Sequence, residues 1–288
     1  MAGRTESEVR DKYVIDLFGL SEKVVRQNYH EVHQHLYATV KPERDVNRRP
    51  SYRDNWWIFG EPRRELRPAL AGLERYIATV DTAKHRIFQT LPVEIVCDDG
   101  VVIIANDRFD TMGVLSSAIH LAWAKANCSA LGLTERYPKS VCFDPFPFPD
   151  ATPEQRSAIA ELAEELDATR KAALAEVPGL TMTEIYNLRD WLKKSSPSKL
   201  GEDLSDRARA ARAGIVHRLH EQIDAAVAEA YGWPADLTPS EIVTRLVALN
   251  AERAKEEAEG NIRWLRPEYQ IPRFANGAKP RTGKSKDQ

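Results

Sequence analysis

The spacing of apolar residues along this chain changes character twice, and each stretch predicts a different kind of structure. Residues 1–50 are mostly polar. Val14, Ile15, Leu17 and Phe18 lead into Leu20-Ser21-Glu22, where Ser21 is placed as the N-cap of a helix running through Tyr29 to Tyr37. Pro42 and Pro50 bracket a charged run, residues 41–49, that reads as a connector. This stretch has too few apolar residues for a core of its own and is expected to dock on something else.

Residues 51–150 turn aromatic and then β-like. Trp56-Trp57 opens the stretch, and Leu66, Leu70, Leu73, Tyr76 and Ile77 recur at helical spacing. Two β-branched runs, 92–97 and 101–105, flank Asp98-Asp99-Gly100 and predict a hairpin. Residues 113–126 predict a helix that starts near Ser116-Ser117, and 137–143 a returning strand, ended by Asp144-Pro145-Phe146-Pro147-Phe148-Pro149. From Thr152 onward the period is helical. Thr152-Pro153-Glu154-Gln155 combines an N-cap, a first-turn proline and early acidic character. Ile159, Leu162, Ala163 and Leu166 form the apolar stripe that follows, and 183–194, 205–231 and 239–259 supply three further helical patterns. No internal repeat is visible. The pattern as a whole is α+β, with a helical connector or docking segment at 1–50 and a mixed domain at 51–150. A C-terminal helical bundle at 151–275 and a Gly-, Lys- and Ser-rich tail at 276–288, expected to be disordered, complete it.

Composition narrows the chemistry. The 288 residues are 42% hydrophobic and 29% charged, which excludes a wholly disordered chain and a collagen-like repeat. No apolar run approaches the roughly 20 residues that span a bilayer, and the first residues are no secretory signal, so a cytoplasmic protein without membrane contact is expected. Cys97, Cys128 and Cys142 are widely spaced and read as reduced thiols. There is no Walker-type loop, no G-x-G-x-x-G, no H-E-x-x-H and no G-x-S-x-G. His30, His33 and His35 do not share one helical face, and His217 with His220 lacks a second ligand helix, so no metal site is expected. Asp144-Pro145-Phe146-Pro147 has a superficial likeness to the Asn-Pro-Pro-Tyr loop of amino-methylating DNA enzymes. It lacks the second consecutive proline and reads as a rigid chain crossing pinned on apolar surface.

A net charge of −2 argues against a nucleic-acid binder only if the charge is evenly spread. It is not. Between residues 48 and 67 six arginines (Arg48, Arg49, Arg53, Arg63, Arg64, Arg67) stand against three acids, and between 150 and 176 seven acids stand against three basic residues. Arginines interleaved with aromatics suit phosphate contact and guanine reading, although a solvated face with internal ion pairs has the same signature.

Five blocks in order carry a resemblance. They are Trp56-Trp57-x-Phe59-Gly60-Glu61-Pro62-Arg63 with Leu73-Glu74-Arg75-Tyr76-Ile77-Ala78 and Lys84-His85-Arg86; Gly113-Val114-Leu115-Ser116-Ser117-x-Ile119-His120-x-x-Trp123; Arg136-Tyr137 with Phe143-x-x-Phe146-Pro147-Phe148-Pro149-Asp150; Leu166-Asp167-x-x-Arg170; and Thr183-x-Ile185-Tyr186-Asn187. Together, with Tyr13-Val14-Ile15-Asp16 as an opening marker, they resemble the post-catalytic half of MmeI-like (type IIL) restriction–modification methyltransferases and related adenine-specific DNA methyltransferases.

In that family an S-adenosylmethionine domain precedes a target-recognition domain and a helical region. The resemblance therefore implies a specificity-bearing part, from a split subunit or a truncated reading frame. Autonomous catalysis and a cofactor in this chain are not expected. S-adenosylmethionine is expected on a catalytic methyltransferase domain or subunit, and double-stranded DNA is the expected partner. The resemblance places base reading just before the Arg-Tyr pair, at Thr134, Glu135 and Arg136. The chemistry of the side chains adds Lys84, His85, Arg86, Ser116, Ser117 and His120 as contacts to the DNA backbone. Trp56, Trp57, Phe146 and Phe148 are expected in the core. The alternative from another class is a helical protein–protein interaction scaffold without DNA binding.

Overall fold

The computed structural model describes residues 13–128, 130–131, 134–194 and 202–274. Two compact units emerge, residues 10–71 and the remainder from Gly72. The division expected at residue 50 falls inside the smaller unit, and that expected at 150 falls inside the larger one.

The smaller unit holds five short helices: α1 (Glu22–Asn28), α2 (His30–Thr39), α3 (Lys41–Asp45), α4 (Pro50–Asp54) and α5 (Leu66–Leu70). Ser21 caps α1 as its sequence position predicts, accepting from the Val24 amide, and Tyr29 then interrupts the expected continuous helix. A core of its own exists here after all. Trp56 is buried, with the His33 ring at 5.4 Å, the Tyr37 ring at 5.8 Å and Trp57 at 6.2 Å, and Trp57 donates its indole N–H to the Leu20 carbonyl at 2.9 Å. A few large aromatics do here what a longer apolar stripe does elsewhere.

The larger unit begins with strands β1 (Arg75–Val80), β2 (Thr82–Ala83), β3 (Gln89–Pro92) and β4 (Val101–Ile104). β1 is central, with β3 and β4 antiparallel on either side, in register Tyr76↔Leu91 and Thr79↔Val102. Two expectations are corrected at this point. The helical spacing that runs on to Ile77 ends at α5, because Gly72 adopts φ +81°, and Tyr76, Ile77 and Ala78 are buried strand residues. The hairpin of 92–97 with 101–105 does not form: β4 pairs with β1, while Ile95 and Val96 lie on the surface. Pro92 has no amide hydrogen to continue the ladder, so β3 stops there.

Helices α6 (Phe109–Ser116) and α7 (Ala118–Asn127) follow, split by Ser117, whose hydroxyl caps α7 by accepting from the His120 amide at 3.4 Å. β5 (Ala130–Leu131), β6 (Thr134–Arg136) and the single turn α8 (Lys139–Cys142) come next. The strand expected over 137–143 is thus replaced by the end of β6 and a helical turn.

The helical part comprises α9 (Pro153–Glu176), α10 (Met182–Lys194), α11 (Glu202–Ala210), α12 (Ala213–Ala230), α13 (Pro239–Ala258) and α14 (Pro267–Phe274). Reciprocal capping boxes start α9 at Thr152/Gln155 and α13 at Thr238/Glu241. The single helix expected over 205–231 is broken at Arg212, which has φ +53°. Leu166, Ile185, Leu219, Ile223 and Leu246 are buried in one cluster that extends to Trp123 and Phe146 of the mixed part. Phe146 is core, as expected of the Pro-Phe alternation. No helix among the described residues is long and apolar enough to cross a membrane, and no His, Cys, Asp and Glu group among them is placed to hold a metal. Small antiparallel sheets followed by helices are the α+β organisation the sequence implies.

Candidate nucleic-acid interface

A second small sheet brings the expected site residues together. Its order is β2-β6-β5, with Thr82↔Arg136, Ala83↔Glu135 and Leu131↔Thr134 in register. Thr134, Glu135 and Arg136 thus form the middle strand, and Lys84 and His85 follow directly on the strand beside it. The sheet hangs from the end of β1: the Tyr137 amide donates to the Asp81 carbonyl at 2.7 Å, and the Asp81 amide to the Gly100 carbonyl at 2.7 Å.

Arg136 is the exposed cation of this strand, its side chain 61% accessible, and its Nε donates to Asp81 Oδ2 at 3.1 Å. Asp81, a residue the sequence reading missed, therefore orients the guanidinium through one nitrogen. Both terminal amino groups of Arg136 have no partner among the described residues. A guanidinium fixed at Nε with its outer edge open is set up to donate to two acceptors at once, the pattern a guanine O6/N7 edge offers.

Arg86 is placed differently. It lies under the same sheet and donates to Thr79 Oγ1 (3.2 Å), the Val80 carbonyl, the Asp81 carbonyl (3.3 Å) and the Glu135 carbonyl (2.8 Å), with its guanidinium 4.9 Å from the Tyr137 ring centre. Burial lowers its affinity for its proton from the ordinary arginine value. Its donors are committed to three backbone carbonyls and the Thr79 hydroxyl, so the expectation of a phosphate contact is corrected: Arg86 rivets β6 to the end of β1.

Ser116, Ser117 and His120 are buried as well. The Ser117 hydroxyl donates to the Val114 carbonyl at 2.7 Å while capping α7. His120 Nε2 lies 2.8 Å from the Tyr137 hydroxyl, among the rings of Phe88 and Phe146. Burial, helped by the Arg86 charge, pushes the His120 imidazole down to about 3, so at neutral pH it carries no charge to offer a phosphate. These three residues are buried and do not face solvent.

Lys84 is exposed, and its Nζ donates to Asn187 Oδ1 at 2.6 Å. His85 is largely covered: Nε2 lies 2.9 Å from the same Asn187 oxygen, Nδ1 lies 3.7 Å from Asp190 Oδ2, and the ring faces Tyr186 at 5.9 Å. Sequence reasoning named Tyr186-Asn187 only as part of a motif, and the contact spans about a hundred residues of chain.

Another motif fixes α9 against the β1 sheet. Asp167 accepts from the Thr90 hydroxyl at 2.6 Å and pairs with Arg170 (3.2 Å) and Lys171 (2.5 Å). Arg170 donates onward to the Phe88 carbonyl (2.8 Å) and the Tyr186 hydroxyl (2.9 Å), and that hydroxyl meets His220 Nε2 at 2.8 Å. Burial pushes the Asp167 carboxyl up, but Arg170, Lys171 and the Thr90 hydroxyl outweigh it and leave it below the usual range.

The arginine-rich run of the smaller unit is partly consumed internally. Arg49 pairs with Glu61 at 2.8 Å, Arg67 with Asp16 at 2.7 Å, and Arg53 donates to the Asn47 carbonyl at 2.7 Å.

Residues 80–150, which contain every candidate site residue, match the family model of the MmeI target recognition domain. DNA methyltransferase A of Bacillus subtilis (strain 168) is 31% identical over 88 residues, which is 30% of this chain and 9% of that protein. Among solved structures, the type IIL restriction-modification enzyme MmeI in complex with DNA is similar with a TM-score of 0.58 and 16% identity. That likeness covers 83% of this chain and 28% of MmeI. The chain thus spans a minor share of both longer proteins, and the structural likeness extends well beyond residues 80–150.

Proposed function

We propose that this chain binds one specific duplex sequence as the recognition part of a restriction–modification system, a reading supported by the match of residues 80–150 to the MmeI target recognition domain. Thr134, Glu135 and Arg136 read base edges, and Lys84 contacts backbone phosphate. Arg136 donates through its terminal amino groups to a guanine, while Asp81 holds the side chain from behind. Glu135 accepts from a cytosine amino group if its carboxylate turns outward. The observation that carries the reading is the exposed Arg136 guanidinium, fixed at Nε by Asp81 and open at its outer edge, on the middle strand beside Lys84.

The reaction served is methyl transfer from S-adenosylmethionine to adenine N6, performed by a catalytic methyltransferase domain or subunit. The contribution of this chain is to choose the site and hold the duplex in register.

The test is selection from a randomised duplex library, followed by equilibrium binding of the winning sequence and scrambled controls at several salt concentrations. The reading expects one preferred sequence containing a guanine whose replacement costs about 1–3 kcal/mol. Equal binding to all duplexes at every salt concentration overturns it.

A further inference from the structure

Helix α10 lies outside the stretch that matches the recognition-domain family, yet it supplies the side chain that holds the exposed lysine of the reading sheet. The Asn187 carboxamide oxygen receives Lys84 Nζ at 2.6 Å and His85 Nε2 at 2.9 Å. Asn187 itself stands on a firmly anchored turn. Its neighbour Tyr186 is buried, bonded through its hydroxyl to Arg170 and to His220, and Leu188 and Ile185 are buried on either side. His85 docks the loop on this helix, with its ring against Tyr186 and its second nitrogen toward Asp190.

The chemistry of this contact matters. A lysine ammonium has three N–H donors and no acceptor, on a flexible four-carbon stem. A neutral carboxamide oxygen takes one donor and leaves the charge and the other two donors available. A carboxylate at the same place would hold the ammonium equally well but cancel its charge. An amide is what positioning a cation for a second, anionic partner requires.

We propose that Asn187 is a positioning residue for DNA binding, which holds the Lys84 ammonium where a backbone phosphate passes the β2-β6-β5 sheet and makes α10 part of the recognition device. The inference rests on the reading of the sheet as a DNA-binding surface, and it assigns a role to the Thr183-x-Ile185-Tyr186-Asn187 block.

The test compares the unmodified chain with Lys84→Ala, Asn187→Ala, Asn187→Asp and the Lys84→Ala/Asn187→Ala pair. Affinity for the selected duplex is measured between 50 and 250 mM salt (chosen to span about a fivefold range, over which phosphate contacts register strongly). Lys84→Ala should flatten the log–log salt dependence by about 0.9, the value of one phosphate contact. Asn187→Ala should lower affinity equally for cognate and scrambled duplexes and flatten the slope in the same direction. The double variant should match Lys84→Ala, because Asn187 acts through that side chain. Asn187→Asp keeps the geometry, guards against a folding defect in the alanine variant, and should flatten the slope by neutralising Lys84. The proposal is overturned if Asn187→Ala leaves the slope unchanged. It is equally overturned if its loss of affinity adds in full to that of Lys84→Ala, the signature of a merely structural role, or if Lys84→Ala has no effect on a chain that still binds its duplex selectively. Failure of the unmodified chain to prefer any duplex is a different result, and sinks the DNA reading itself.

Discussion

Arg86 donates to the short strand to which Arg136 belongs, and the two show how little residue type alone decides. Arg136 has one nitrogen on Asp81 and is open to solvent; Arg86 spends its planar fork on four oxygens drawn from β1, the following turn and β6. Arg86→Ala should therefore destabilise the chain by about 2–4 kcal/mol in a urea titration, and Arg86→Lys should recover little, since an ammonium cannot reproduce the fork. An unchanged midpoint in the alanine variant would contradict this assignment. His120 makes a second prediction at this scale. Its folded value is about 3 against about 6.5 for a free imidazole, so the unfolded chain binds a proton between those limits that the folded chain refuses. Stability from this group is full above pH 6.5 and falls as the pH drops below it, by about 2 kcal/mol at pH 5. Replacing His120 by an apolar residue should flatten that part of the stability–pH profile; an identical profile would argue against a neutral buried imidazole. Three basic residues in a row, Lys84-His85-Arg86, look alike in sequence because nothing local reveals that the Glu135 carbonyl, 49 residues away, awaits the third of them.

Elements governed by local signals were the legible ones. Ser21 and Thr152 each sit at a helix start with the hydrogen bond their position predicts, and α9, α10 and α13 lie close to where the apolar period puts them. Strand partners were not legible. Residues 92–97 and 101–105 satisfy every local rule for a hairpin, but β1 competes for the same edge and wins, because Tyr76, Ile77 and Ala78 gain burial on a central strand. Gly113 marks another element-level constraint. A Cβ there would meet Ile159 Cγ2 at 2.5 Å and the Ile159 carbonyl oxygen at 3.2 Å, so α6 approaches α9 only through a glycine. Gly113→Ala should cost about 1–2 kcal/mol despite the better helix propensity of alanine, by overfilling this contact. Thermal unfolding checks it, and a raised midpoint would mean that the two helices separate at no cost.

For the molecule as a whole, the net charge of −2 conceals an arrangement that matters more than its sum. Part of the arginine-rich run near the N-terminus is paired within its own unit, whereas the two cations proposed to meet DNA, Lys84 and Arg136, lie at a sheet that composition does not single out. The ordered motifs carry residues that build and brace the scaffold, with Arg86 tying β6 to the end of β1 and Asp167 and Arg170 holding α9 against the β1 sheet. Which side chains face outward was beyond their reach, since exposure is decided by contacts spanning a hundred residues, as between Lys84 and Asn187. The central claim is that Arg136 reads a base. Its most direct test is binding of the chain and of Arg136→Ala to the selected duplex and to the same duplex with its guanine replaced. The account predicts that the unmodified chain discriminates between the two by about 1–3 kcal/mol and that Arg136→Ala binds both alike, with its fold intact. Discrimination that survives unchanged in Arg136→Ala would contradict it.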